Sequence, residues 1–196
     1  MPRTEEVNQQ IRDDRREQIL QAAAEMFLQK GVSNLKISEL AAAAGMSQGL
    51  LYRYFSNKEE ILATLVEQAT QAIIQQMQEV LHIPESAYMK LYRLTEVMLH
   101  GIRINPAGQQ LLLQSVAVPG KAGILVQEMG SLMKSTLHQL ILDGQASGEV
   151  VQGDPHQLVV LYLCTIQGLT VGLHFFGNDT IEHFPDIDTV LRILKP

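Results

Sequence analysis

Residues 37–55 read ISELAAAAGMSQGLLYRYF, and this stretch restricts the fold more than any other part of the chain. Leu40, Ala41 and Ala44 give a first short helix a small-residue face, which lets a second helix approach closely. Gly45 ends that helix with a backbone shape that a residue with a side chain would resist. Ser47 is placed to cap a second helix, on which Leu51 and Phe55 lie four residues apart and can pin it to a core. The pattern is two short helices joined by a tight turn, with Gln48, Gly49, Tyr52 and Arg53 left on or near the outer surface.

The rest of the chain is punctuated in the same way, by glycine and proline between helix-length pieces, with no alternating strand pattern. A first helix over residues 14–30 places Ile19, Ala22, Ala23, Met26 and Phe27 on one face and stops at Gly31. The pair of short helices spans 37–44 and 47–55, and a long helix follows over 57–82. Further helices are expected over 85–104, 107–116, 121–146, 155–176 and 187–194, separated by Pro106, Pro119–Gly120 and the Gly144 to Gly148 segment. The chain therefore reads as all-α. With 46% apolar and 18% charged residues it has the composition of a folded globular protein.

A helix presented as residues 47–55 are can enter the major groove with its N-terminal residues leading. Gln48 can read a base edge through its amide, Arg53 can read guanine or bind phosphate, and the Tyr52 hydroxyl and Lys58 ammonium suit the phosphate backbone. Taken singly, Tyr52 and Tyr54 also fit ordinary boundary residues, and Arg53 a solvated charge. The longer series decides between these readings: Ile19–Leu20, Ala22–Ala23, Phe27, Gly31, Ile37, Leu40–Ala41, 44–47 (AGMS), Gly49, Leu51–Tyr52, Tyr54–Phe55 and Lys58–Glu59. Over about residues 16–62 the chain resembles the DNA-binding domain of the tetracycline-repressor (TetR) family.

The resemblance implies a three-helix domain with a helix-turn-helix, followed by a helical ligand-binding and dimerisation domain. It implies DNA contact by Gln48, Gly49, Leu50, Tyr52, Arg53, Tyr54 and Lys58, with Ser47 at the helix start. Leu35–Lys36 stands where the family commonly has a hydroxyl pair, so Lys36 would supply charge there and Ser38 is the nearest remaining hydroxyl. Leu50 replaces a frequent threonine and can meet a thymine methyl. The domain expectation is a flexible arm over 1–13, with Arg3 and Arg12 in the tail and Arg16 nearer the DNA. The DNA-binding domain then covers 14–57 and the effector and dimer domain 58–196. The partners implied are a palindromic double-stranded operator, a second copy of the chain and a small-molecule effector.

The net charge of −6 is a mild objection to nucleic-acid binding, but its distribution removes it. Through residue 60 there are 8 basic and 9 acidic residues, against 7 and 12 in the remainder. In that remainder Tyr92, His100, Arg103, Gln110, Gln114, Gln167 and His174 are candidates to line a ligand pocket, with Met77, Met89, Met98, Met129 and Met133 as an adaptable apolar wall. The uncharged run from 155 to 178 suits a dimer interface through Leu161, Gly168, Gly172 and Phe175 better than a membrane span, because Asp154 and Asp179 flank it where basic anchors would be expected.

No cofactor or metal is expected: the six histidines never fall at helical zinc-site spacing, and Cys164, the lone cysteine, sits in an apolar run that suggests a buried thiol. No secretory signal is apparent at the N-terminus, and the expected location is the cytoplasm. Two other readings remain: a helical small-molecule carrier that keeps the motif as a packing element, and a small helical enzyme, for which no acid, base and nucleophile set stands out.

Overall fold

The computed structural model describes residues 5–176 and 182–196, without the His174 side chain. All regular structure among the described residues is helical. In chain order the elements are α1 (Glu5–Lys30), α2 (Ile37–Ala43), α3 (Gln48–Leu51), α4 (Lys58–His82), α5 (Ala87–Ile104) and α6 (Pro106–Ser115). They continue with α7 (Lys121–Ala146), α8 (Pro155–Phe176) and α9 (Ile187–Leu191), and a 3-10 turn over Arg192–Leu194.

The helix starts follow local chemistry. Asn57 Oδ1 accepts from the Glu60 N–H at 2.7 Å while the Glu60 carboxylate accepts from Ser56 N–H at 2.7 Å, so α4 starts from a reciprocal pair of caps. Ser86, Asn105 and Asp186 cap α5, α6 and α9, each by accepting one backbone N–H on its side-chain oxygen. The expected start of α1 near residue 14 needs correction. Helix begins at Glu5, and residues 5–13 of the expected flexible arm are helical, carried by side-chain pairs such as Gln9–Asp13 (2.9 Å) and Gln10–Asp14 (2.8 Å). This extension is exposed almost throughout, so it carries no apolar periodicity from which it could be read.

Two apolar cores share the chain. The first holds Ile19, Leu20, Phe27, Leu40, Leu51 and Phe55 together with Ile61, Leu62 and Val66 from the first half of α4. The second gathers Met77 and Val80 from the far half of α4 with residues of α5, α7, α8 and α9. Helix α4 is thus continuous through both cores, and the expected boundary between residues 57 and 58 falls in the loop before it rather than between two packing units. Helix α6 is also shared: it packs on α1, and its Leu111 and Leu112 join the N-terminal core.

Helix α8 is the one helix among the described residues long and apolar enough to cross a membrane by length and composition. It packs on α5, α6 and α7 and is fixed by Tyr162, whose buried hydroxyl lies 2.8 Å from Thr95 Oγ1. Burial pushes the Tyr162 phenol up to about 12, against a smaller downward pull from the Thr95 hydrogen bond.

Candidate nucleic-acid interface and interior cavity

The loop before α2 and the α2–α3 turn set the geometry of the first site. Gly31 (φ +75°) and Gly45 (φ +65°) both occupy the left-handed region, and each reverses the chain directly after a helix. The Glu39 carboxylate receives Lys30 Nζ at 3.0 Å and the Lys36 N–H at 3.3 Å. The Lys30 hydrogen bond, then that of the Lys36 backbone, holds Glu39 below its usual carboxylate range. Ser47 Oγ accepts from Leu50 N–H at 3.2 Å and caps α3. The α-helical part of α3 is only Gln48–Leu51, shorter than expected. Beyond it, turn bonds from Arg53 N–H to Leu50 O and from Tyr54 N–H to Leu51 O carry the chain to Phe55.

Leu51 and Phe55 are fully buried, which turns the opposite side of this segment outward. Gln48, Gly49 and Arg53 are exposed, Tyr52 is 49% exposed, and Leu50 and Tyr54 are half-buried at the edges. Lys36 and Ser38 are exposed at the start of α2. The Arg16 guanidinium lies 4.9 Å from the centre of the Phe55 ring and so belongs to the folded domain instead of reaching out as an arm. Lys58 differs from the other candidates. Its Nζ donates to Ser33 O at 2.8 Å and Leu35 O at 3.1 Å, holding the loop between α1 and α2 against the start of α4. Its position in sequence gives no sign of that bracing role.

A second feature lies inside the body, a cavity of about 300 Å³ bounded by α4, α5, α6, α7 and α8. Met77, Met98, Met129 and Met133 line it, as the methionine pattern suggested, whereas Met89 is exposed elsewhere. Of the polar candidates with described side chains only Gln167 reaches the wall, and Tyr92, His100, Arg103, Gln110 and Gln114 need correction. Arg103 instead stacks 4.7 Å from the Phe184 ring centre and donates to Phe184 O and Pro185 O. Tyr92 packs into the body core, His100 and Gln114 are exposed, and Gln110 is half-buried away from the cavity. The His174 side chain lies outside the described residues. The polar groups that do line the wall are Gln76, Gln109, Lys134, Gln167 and Thr170.

A separate, more polar cleft of about 450 Å³ separates the first turns of α4 from residues 118–122, bridged by Lys121–Glu67 at 2.8 Å. On α8, Leu161, Gly168 and Phe175 are exposed, and so is Cys164, contrary to the expected buried thiol. Gly172 is buried within the protomer and does not share their outward face. Among the described residues no cluster of three His, Cys, Asp or Glu side chains is placed to hold a metal ion.

Comparison with known proteins agrees with this geometry. Residues 19–65 match the family model described as bacterial regulatory proteins, tetR family. The chain is 29% identical over 140 residues to the fatty acid metabolism regulator protein of Bacillus subtilis, an alignment covering 69% of this chain and 71% of the relative. Its fold is that of the ketosteroid transcriptional regulator KstR2 of Mycobacterium tuberculosis, with a TM-score of 0.77 at 18% identity over 93% of this chain and 95% of that one. A further structure of the same fold is AibR in complex with isovaleryl coenzyme A and operator DNA, with a TM-score of 0.68 at 17% identity over 81% of this chain and 85% of that one. With the outward face of residues 47–54 in view, the conclusion is that residues 19–65 form a DNA-binding domain of the tetR type and that the protein is a DNA-binding transcriptional regulator.

Proposed function

We propose that the protein is a cytoplasmic repressor that grips a palindromic operator as a dimer and lets go when a small molecule enters the cavity between α4 and α8. The observation that carries the DNA half is the display of Gln48, Tyr52 and Arg53 on a segment whose other side, Leu51 and Phe55, is fully buried. In this reading Gln48 and Arg53 read base edges, and Tyr52, Lys36 and Ser38 hold phosphate oxygens. Gly49 lets the backbone approach, and Leu50 and Tyr54 meet the groove at the edges. Lys58 contributes by fixing the loop that presents Lys36.

Dimerisation is assigned to α8 with the outer side of α7. Leu161 is 49% exposed, Val160 52% and Phe175 79%, an uncharged apolar stripe that a second copy can bury isologously. Two recognition segments related by such a two-fold axis suit a symmetrical operator. The effector half rests on α6. One side of this helix packs on α1, while Gln109, Leu112, Leu113 and Val116 line the cavity, so a ligand that displaces α6 also displaces the DNA-binding domain. The ligand-bound AibR structure supports this use of the fold.

The test is selection of full-length protein against a randomised duplex library, followed by gel-shift titration. A palindromic sequence should be enriched, and Arg53→Ala should weaken binding to it by about tenfold or more, the scale of one lost base contact. Enrichment of no sequence, or unchanged affinity for both Arg53→Ala and Tyr52→Ala, would remove the assignment.

A further inference from the structure

The charge pattern of the cavity wall narrows what the cavity takes. Among the described residues its lining contains no Asp or Glu and a single charged side chain, Lys134. The polar cleft near the start of α4 is the opposite case, with Glu59, Glu60 and Glu67 in its wall. Five of the chain's seven lysines are engaged: Lys30 with Glu39, Lys58 with two carbonyls, Lys90 with Leu81 O, Lys121 with Glu67 and Lys195 with Asp188. Among the described residues only Lys36 and Lys134 form no side-chain hydrogen bond or ion pair. Lys36 stands at the DNA face. Lys134 stands at the cavity, exposed at its head, four residues from Gly130 and next to buried Met133 on the same wall.

The remaining wall chemistry is of two kinds. The depth is apolar, with Met77, Leu94, Ile102, Met133 and Ile166 all buried, and the methionines can reshape around an unbranched chain. Toward solvent, Gln76, Gln109 and Gln167 are exposed or half-buried and make no side-chain hydrogen bond among the described residues. Their amides are free to donate to an oxygen.

We propose that the ligand is a monoanionic amphiphile, a carboxylate on a hydrocarbon body, with the chain among the methionines and the carboxylate received by Lys134. This rests on the reading of the cavity as the effector site. A volume of about 300 Å³ lies at the small end of the range for ligand pockets, roughly 300–1,000 Å³, which suits a medium-length chain. An uncharged ligand leaves the lysine unused, and a cationic one meets no carboxylate among the described residues.

The experiment is calorimetric titration of the full-length protein, without DNA, with decanoate, 1-decanol and decyltrimethylammonium. Decanoate should bind about tenfold tighter than decanol, the scale of one charge-assisted hydrogen bond. Lys134→Gln should erase that preference while leaving decanol binding unchanged, and Lys134→Arg should keep most of it. Lys134 is a surface residue, so these variants should fold. Gly130→Phe, at a wall position where an added Cβ meets nothing within 4 Å, should block both ligands without lowering the melting temperature.

The proposal is overturned if Lys134→Gln binds decanoate as the parent does, if the cation binds best, or if a folded Gly130→Phe still binds decanoate. The same ligands added to the protein–duplex complex separate the two readings. Decanoate that binds through Lys134 yet leaves the protein on DNA supports the ligand class and counts against the effector role. Release by decanol or the cation in place of decanoate supports the effector role and overturns the class.

Discussion

The N-terminal domain and the body solve opposite problems with the same kind of helix. In the first, Ile19, Phe27, Leu40, Leu51, Phe55, Ile61 and Leu62 are sealed from solvent. Its turns are fixed by Gly31 and Gly45, and even a lysine is used as a brace. The body packs its helices around a void lined by four methionines, with unpaired amides beside it. Reading a rigid duplex requires side chains held at set positions. Accepting a variable small molecule requires walls that can yield, and a protein joining the two tasks separates stiff from compliant packing along α4 and α6.

The contrast can be broken most directly by truncation on each side. Phe55→Ala removes a fully buried ring and the surface on which Arg16 rests, and should cost about 3–5 kcal/mol in denaturant unfolding. Met129→Ala, at a half-buried cavity wall, should cost about 1 kcal/mol or less. Similar losses for the two would mean that the void is not a compliant region.

Lysine substitutions sharpen the same comparison within the DNA-binding domain. Lys58→Met should lower stability by roughly 1–3 kcal/mol, because two carbonyls lose a charged donor. Lys36→Met should leave stability within about 0.5 kcal/mol and instead reduce the slope of log affinity against log salt by about 0.9, one phosphate contact. Reversed results would exchange the roles of these residues.

The smallest expected effect lies in the body. Tyr162→Phe should cost about 0.5–1.5 kcal/mol near neutral pH, since Thr95 keeps its bond to Leu91 O. The phenol is raised to about 12 in the folded chain, against an unfolded value of about 10. The unfolded state therefore loses this proton first. The contribution of the neutral phenol is complete below about pH 10 and falls as pH rises toward 12. Melting curves of Tyr162→Phe should show a smaller decline across that window, and an identical decline would assign it to other groups.

The same division explains what was legible in the sequence. The recognition segment is encoded locally: Ser47 caps α3, Gly45 turns the chain, and Leu51 and Phe55 repeat at four residues, so the inward and outward sides follow from spacing. The start of α1 escaped because a polar, exposed helix carries no apolar period. Cavity residues were harder to find because they converge from five helices. Gln110 and Gln114 share a helical face, but the wall is formed one position earlier, by Gln109, Leu112, Leu113 and Val116. A single residue turns a helix by about 100°, enough to exchange wall for exterior. Arg103 was drawn off by Phe184 and Pro185, some eighty positions away, which no local pattern records. The signal that was available is the Met129, Gly130, Met133 and Lys134 cluster, whose three- and four-residue steps place one cation among methionines.

Leu112 belongs to the N-terminal core and also forms part of the cavity wall. Positions on α5 and α8 that face the void can drift toward new chemical preferences while the DNA-binding half is left alone. A change at Leu112 alters both halves at once. Val126 on α7 is shared in the same way, so descendants of such a chain are free to acquire new ligands through α5 and α8, while Leu112 and Val126 tie the history of the cavity to that of the reader.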